Sequence, residues 1–340
     1  RDSLKPDSLK SFSQLLIVSL WVLLSTSCTH SADPFVKVYD TQFILEGEPY
    51  YYFGANFWHG AYLGADLVKG DRDRLLRELD LLKEHRITNL RIMAATELSD
   101  LVMSVKPAFL DGSGEYNEEL LTGLDFLLVE MAKRDMKAVL VLNNYWQWSG
   151  GMAQHLSWST GEAVIDPDVA GDWPGFMAQS ARFYWDEKGN QRCQDYIAYL
   201  VNRTNTISGV QYKEDPTIMS WQLANEPRPA PDAAENPENA AQFVKWVDET
   251  AAFIHSLDPN HLVSTGSEGL HGSVRSRDIY MNAHSSPHID YVTFHIWPKN
   301  WGWFKATEPE ATYDQALENT LAYFGAVSYT HLTLPTTCNL

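Results

Sequence analysis

The chain alternates short apolar runs with longer segments in which apolar residues recur every three or four positions. A run that ends abruptly in polar residues is typical of a strand buried on both faces, and the longer period is typical of a helix. The helical pattern occupies residues 71–85, 117–133, 190–205, 243–257 and 311–324. The strand pattern occupies residues 50–54, 87–92, 139–142, 217–224, 261–265 and 290–298.

Strands that alternate with helices at this spacing predict a parallel sheet with right-handed crossovers. Polar and aromatic residues gather where the predicted strands end, which is where β/α barrels place their active sites. The predicted fold class is therefore α/β, a (β/α)8 TIM barrel. A doubly wound dinucleotide fold is the rival, but no glycine-rich fingerprint follows the first strand. A hairpin with its turn at 46–49 precedes the barrel.

Residues 145–186 contain several tryptophans and no clear period. We expect a long irregular loop there. Because long loops in compact domains are usually functional or disordered, and tryptophan-rich segments are seldom disordered, we interpret it as one wall of a cleft. The stretch 231–239, rich in proline, alanine and asparagine, predicts a second loop.

Residues 1–28 have the pattern of a secretory signal peptide, with basic residues, a short apolar core and small residues before Cys28. The apolar core is too short for a transmembrane helix. Cys28 directly after the small residues resembles a bacterial lipoprotein site. We therefore expect a secreted protein or an outer-surface lipoprotein of a bacterium, attached to the membrane through a lipidated Cys28.

The composition narrows the range of partners. Lysine and arginine total 26 against 44 aspartates and glutamates, a formal net charge of −18. This balance argues against nucleic acid and anionic membrane surfaces and is compatible with a neutral substrate. The three cysteines, Cys28, Cys193 and Cys338, lack the spacing of a metal site or a disulfide framework. We expect a monomer without a metal or a cofactor.

The candidate chemistry lies at the end of the predicted strand 217–224, where Asn225 and Glu226 precede Pro227. Proline stops the strand, and a carboxylate at the C-terminal end of a parallel strand is well placed for catalysis. Apolar walls would raise the pKa of Glu226 and make it a general acid near neutral pH. The competing interpretation is a loop glutamate that caps the next helix.

The run 221–229 resembles the acid/base motif of clan A glycoside hydrolases, and its surroundings resemble family 5 and the endo-β-1,4-mannanases within it. The resemblance implies retaining hydrolysis of internal β-1,4 bonds in mannan, galactomannan or glucomannan, with Glu226 as the acid/base. It also implies that an arginine, Arg91, steadies the nucleophilic carboxylate. The substrate-binding residues that it implies are Arg91, Asn225, His295, Trp297, Trp58, Asn143, Trp146 and Trp148.

The resemblance covers residues 35–324 and then stops. The expected organisation is a signal peptide at 1–28, a truncated barrel domain at 29–324 and an unrelated tail at 325–340, with the last two strands missing. The tail contains no carboxylate, so we assign no nucleophile. Glu268 is the remaining glutamate at a strand end, and we expect it to be mainly structural. We therefore expect the 340-residue chain to be inactive on mannan and poorly soluble.

Three other interpretations remain open. A cellulase-like β-1,4-glucanase of the same family would share the motif. A non-catalytic carbohydrate-binding surface protein would explain the aromatic residues and the missing nucleophile. A metal enzyme would use His284, His288 and His295, but their spacing does not place two of them on one helix face beside a third ligand.

Overall fold

The computed structural model describes residues 33–67 and 70–329. The predicted signal peptide, Cys28 and the end of the tail lie outside the described residues. The described chain begins with a three-stranded antiparallel sheet, and residues 46 and 47 of the predicted turn join its second and third strands. This sheet packs on Val139, Met219 and Leu262, so it covers the bottom of the larger sheet. Its strands are β1 (Lys37–Tyr39), β2 (Gln42–Leu45) and β3 (Glu48–Pro49).

Five parallel strands form the larger sheet, and they lie side by side in their order along the chain. A doubly wound fold would reverse the direction of winding at a switch point, so this order excludes it. The arrangement is that of an incomplete (β/α)8 barrel, as predicted. The strands are β4 (Phe53–Asn56), β5 (Ile87–Met93), β6 (Lys137–Val141), β7 (Ile218–Gln222) and β8 (Leu262–Ser264).

Helices connect and cover these strands, and the five predicted helical segments are all present. Side-chain caps fix several of their starts, because Asp71, Asn117 and Asp186 each accept a hydrogen bond from a backbone amide of the first turn. The helices are α1 (Gly60–Gly64), α2 (Arg72–Glu84), α3 (Glu118–Ala132), α4 (Gly151–Thr160), α5 (Pro167–Ala170), α6 (Trp173–Ala181), α7 (Glu187–Val201), α8 (Pro237–Leu257), α9 (Arg277–His284) and α10 (Pro309–Tyr329).

The prediction of a long irregular loop at 145–186 is wrong, because α4, α5 and α6 and two 3-10 turns occupy it. These helices lack a regular apolar stripe, and buried polar groups fix them instead. The Glu97 carboxylate accepts the amide of Gly151 at 2.7 Å where α4 begins. Asp166 and Asp172 cap α5 and α6. The second predicted loop is also shorter than expected, since α8 begins at Pro237.

The predicted sixth strand at 290–298 does not form. Tyr291 makes a single bridge to Ser264 of β8, and the residues after it have no ladder. A strand needs a continuous partner, and none of the described residues pairs with this segment on its far side.

Across the described ranges, no helix is long and apolar enough to cross a membrane.

Candidate active site

A cleft of about 880 Å³ opens at the C-terminal ends of the parallel strands. Tryptophan side chains form much of its wall, and charged and amide side chains form its floor. The tryptophans are Trp58, Trp146, Trp148, Trp173, Trp297 and Trp301. The polar residues include Asn56, Arg91, Gln147, Asn225, Glu226, Arg228, Glu268, His295 and Asn300.

Glu226 lies just beyond the end of β7 with an unusual backbone. Its φ angle is +51°, a left-handed conformation that is uncommon for residues other than glycine and tends to occur at functional sites. The backbone amide of Glu226 donates to the carbonyl of Gly266 at 2.9 Å, which ties the ends of β7 and β8 together. Gly266 has a φ of +75°, and a Cβ there would clash with the Ala224 carbonyl. The local backbone therefore holds the carboxylate in one place.

Three ring N–H groups surround the Glu226 carboxylate. Trp146 Nε1 donates to Oε2 at 2.6 Å, Trp297 Nε1 donates to Oε1 at 2.9 Å, and His295 Nδ1 lies 2.5 Å from Oε1. Burial raises the pKa of Glu226, but the hydrogen bond and charge of His295, with the bonds from Trp297 and Trp146, outweigh it and lower the pKa to about 2. The prediction of a raised pKa is therefore wrong.

Arg91 fixes the amide that precedes Glu226. Its Nε donates to Gln222 Oε1 at 2.6 Å, and its Nη2 donates to Asn225 Oδ1 at 3.0 Å. Because arginine can only donate, the Asn225 atom that faces Arg91 must be the oxygen Oδ1. The nitrogen Nδ2 of Asn225 therefore faces Asn144, and it donates to Asn144 Oδ1 at 3.0 Å. Burial lowers the pKa of Arg91 to about 10 despite the opposing effect of Glu226. Arg91 is thus positioned beneath the site and holds Asn225 in one orientation.

Asn143 does not lie in the cleft, contrary to the prediction. Its side chain is fully buried and donates to Cys193 Sγ at 3.4 Å. The neighbouring Asn144 makes the site contact instead, because a bridge extends the pairing of β6 and β7 to Asn144 and Asn225. Successive residues of an extended chain point to opposite sides, and the choice between the two asparagines depends on this register.

The remaining predicted substrate-binding residues all line the cleft. The rings of Trp58 and Trp148 pack edge to face with their centroids 5.7 Å apart. The Trp146 ring faces the guanidinium of Arg228 at 4.8 Å. The structure therefore brings Arg91, Asn225, Glu226, His295, Trp297, Trp58, Trp146 and Trp148 together. Sequence reasoning missed Arg228, Trp173 and Trp301, which also lie there.

Glu268 is the second carboxylate among the described cleft residues. It forms an ion pair with Arg228 and accepts a hydrogen bond from Trp301 Nε1 at 3.3 Å. Burial and the nearby charge of Glu226 raise the pKa of Glu268, and Arg228 opposes them. Both of its oxygens are thus engaged by neighbouring donors.

The three histidines considered as metal ligands lie apart. His284 contacts Thr265 at 2.9 Å, His288 contacts Asp248 at 3.0 Å, and His295 contacts Glu226. Across residues 33–67 and 70–329, no three His, Cys, Asp or Glu side chains are arranged to hold a metal ion.

Comparisons with known proteins agree with this fold and cleft. The sequence model of the family described as GH family 5 beta-mannosidase-like matches residues 33–334. Mannan endo-1,4-beta-mannosidase 7 of Arabidopsis thaliana is 31% identical over 78% of this chain and 59% of its own length. The family 5 mannosidase structure from Rhizomucor miehei has 38% identity and a TM-score of 0.80, covering 89% of this chain and 71% of that one. The endo-1,4-beta-mannanase structure from the same organism has 25% identity and a TM-score of 0.63, covering 86% and 79%.

A parallel β/α sheet with a strand-end glutamate in a tryptophan-lined cleft is the arrangement of a barrel glycoside hydrolase. The chain belongs to glycoside hydrolase family 5, in its beta-mannosidase-like group. It spans 59% and 63% of the length of two curated Arabidopsis relatives that it matches.

Proposed function

We propose that the protein hydrolyses internal β-1,4-mannosidic bonds in mannan, galactomannan or glucomannan, with retention of configuration. The position of Glu226 carries this proposal: it lies at the end of β7, on the floor of an aromatic cleft, beside an asparagine that Arg91 orients. Membership of the family and the names of the relatives support mannan as the substrate.

Glu226 acts as the acid/base in this proposal. A retaining glycosidase needs one carboxyl to protonate the leaving oxygen and a second to attack the anomeric carbon. With a pKa of about 2, Glu226 must gain a proton before it can give one. His295 Nδ1, 2.5 Å from Oε1, makes the shortest contact to this carboxylate. We assign no nucleophile among the described residues: Glu268, the other carboxylate of the cleft, follows the neighbouring strand β8 and is paired with Arg228.

The cleft suits a neutral polymer with flat apolar sugar faces. Tryptophan rings of the wall offer stacking surfaces, and Asn225 Nδ2 keeps a second N–H for a sugar hydroxyl beyond its bond to Asn144. The formal charge of −18 would repel acidic polysaccharides.

The test uses a protein that contains this chain at the length of its curated relatives, together with its Glu226→Gln variant, assayed on galactomannan and on carboxymethylcellulose. We expect cleavage of galactomannan to shorter oligosaccharides, and its near loss in the variant. Cleavage of carboxymethylcellulose alone would replace the proposal with a β-1,4-glucanase. Binding of galactomannan without cleavage would replace it with a non-catalytic carbohydrate-binding protein.

The location follows from residues 1–28, which lie outside the described residues. The signal-peptide pattern and Cys28 support a secreted protein or an outer-surface lipoprotein. Labelling with a palmitate analogue in bacterial cells tests the lipid anchor. Label on the parent protein and none on Cys28→Ala would support the lipoprotein, whereas release of an unlabelled protein into the medium would support secretion.

A further inference from the structure

Exposed tryptophans are concentrated at the cleft, with one exception. Four tryptophans are classed as exposed among the described residues, and Trp58, Trp173 and Trp297 all line the cleft. The fourth, Trp185, is the most exposed of them at 53% and lines a different groove. Leaving a large apolar ring in water is unfavourable, and because this ring also lines a groove it offers a contact surface outside the cleft.

The groove beside Trp185 has a volume of about 390 Å³ and lies between α7 and α8. Its lining mixes the uncharged hydrogen-bonding side chains of Asn190, Gln194, Gln242 and Thr250 with the charged side chains of Glu187, Lys245 and Glu249. The amide nitrogen of Asn190 already donates to two backbone carbonyls, so its Oδ1 and the amide of Gln194 remain for a ligand. The one lysine of the groove, Lys245, lies 3.7 Å from Glu249 and is paired with it. An exposed aromatic ring beside amides and hydroxyls suits a neutral sugar chain, because a pyranose offers an apolar face and a rim of hydroxyl groups.

The backbone around Trp185 is fixed before any ligand arrives. Trp185 ends a 3-10 turn, and the next residue, Asp186, accepts hydrogen bonds from Gly189 N at 3.0 Å and from Ser159 Oγ at 2.8 Å. Gln242 Nε2 donates to the carbonyl of Tyr184 at 2.6 Å, which joins this turn to α8. A surface already ordered in this way loses little entropy on binding.

One residue separates the groove from the cleft. Tyr184 lines the groove, and its hydroxyl donates to the backbone carbonyl of Arg228 at 2.8 Å. Arg228 in turn lines the cleft. A polymer that occupies the cleft therefore has a second contact surface within reach, whereas a short oligosaccharide fills the cleft alone.

We propose that the groove at Trp185 is a second binding site for a β-1,4-linked mannan chain, separate from the catalytic cleft. The site holds a neutral segment of the polymer by stacking on Trp185 and by hydrogen bonds to the amides of α7 and α8. This inference rests on the proposed function for the identity of the sugar.

The test measures binding by the 340-residue protein with two probes, mannohexaose and soluble galactomannan. Affinity electrophoresis in gels that contain galactomannan reports polymer binding, and calorimetry reports hexasaccharide binding. Trp185→Ala should weaken polymer binding about tenfold, the size expected for loss of one stacking contact, and leave the cleft's affinity for mannohexaose unchanged. Trp185→Phe, which keeps a ring, should recover part of the loss.

Tyr313→Ala, which removes an aromatic ring that is 60% exposed on α10, is the matched control and should bind as the parent does. Thermal unfolding of each variant shows whether the fold is retained, and Gln194→Ala tests the groove without touching the ring. Parent-like polymer binding by both Trp185→Ala and Gln194→Ala would overturn this site and leave the proposed function standing. Failure of the parent protein to bind either mannan probe would overturn both.

Discussion

The indole N–H of Trp146 donates a hydrogen bond of 2.6 Å to Glu226 Oε2, across 80 positions of sequence. The same ring lies over the guanidinium of Arg228 at 4.8 Å. A residue that sequence patterns indicate as a sugar platform is therefore also a donor to the proposed acid/base. Trp146 therefore forms part of the cleft wall and also stabilises the ionised form of Glu226.

Trp146→Phe is expected to raise the pKa of Glu226 from about 2, because it removes one of the donors that stabilise the carboxylate and keeps a ring in place. NMR titration of the side-chain carboxyl carbon of Glu226 measures the shift. Trp148→Phe is the matched control, since its ring packs on Trp58 and it makes no described hydrogen bond to Glu226. Identical titrations in the parent and in Trp146→Phe would contradict this role.

The lowered pKa of Glu226 also predicts how stability depends on pH. The folded pKa of about 2 lies below the value of about 4.3 expected in the unfolded chain. Ionised Glu226 therefore contributes stability that is fully present above the unfolded pKa and is lost as the pH falls towards 2. Urea unfolding of the parent protein and of Glu226→Gln at a series of pH values measures it. The parent should lose stability relative to the variant below about pH 4; a constant difference between them would show that the pKa is not lowered.

Glu226→Ala, in a protein that contains this chain at the length of its curated relatives, is expected to affect substrates with poor leaving groups more than substrates with good ones. A general acid matters most when the leaving oxygen is a poor leaving group, and least for an activated aryl mannoside whose departure needs little protonation. Turnover of mannohexaose should fall by at least about 100-fold, the low end for general acid catalysis, and turnover of a dinitrophenyl mannoside much less. Equal losses on the two substrates would argue that Glu226 is not the acid.

Much of the fold could be predicted because its strands are local apolar runs bounded by polar residues. β5, β6, β7 and β8 all fall on such runs. The helices at 151–181 could not be predicted, because they lack an apolar stripe. Buried polar contacts, such as that of the Glu97 carboxylate with the Gly151 amide, fix them instead. The segment at 290–298 has the composition of a strand, but strand formation depends on a partner that the local sequence does not reveal.

The members of the site could also be predicted, but not their contacts. Glu226 was identified from its motif, whereas the direction of its pKa depends on Trp146, His295 and Trp297, which approach it from distant segments. The resemblance implies Asn143, but it does not show which of two adjacent asparagines points towards β7. A shift of one residue in the strand register exchanges which of the two side chains points towards β7.

Asn144 is expected to position the site without touching substrate. Its Oδ1 accepts from Asn225 Nδ2 at 3.0 Å and from the backbone amide of Trp146 at 3.1 Å, and its Nδ2 donates to Ser149 Oγ at 2.9 Å. Asn144→Ala leaves the buried amide of Asn225 without its acceptor, which should cost about 1–3 kcal/mol in stability. It should also release Trp146 from Glu226 and raise the pKa of that carboxylate.

Ser149→Ala is the control for Asn144→Ala, because it removes one bond of Asn144 and leaves the bonds to Asn225 and Trp146 intact. Asn144→Asp retains the acceptor and should recover much of the behaviour of the parent. Carboxyl NMR of Glu226 and urea unfolding report the two effects separately. A loss of stability without any change in the Glu226 titration would assign Asn144 a purely structural role.

The outer edge of β4 is predicted to make the 340-residue protein self-associate. No described residue pairs with that edge, and Phe53 at its start is 77% exposed. An unpaired strand edge with an exposed apolar side chain readily adds a strand from another molecule. Sedimentation velocity over a range of concentrations should show association in the parent protein. Phe53→Lys should reduce it, because a charge on an edge strand opposes pairing, while Tyr313→Lys on exposed α10 should not. A protein that stays monomeric at every concentration would contradict the prediction and would show that the edge of β4 is protected in solution.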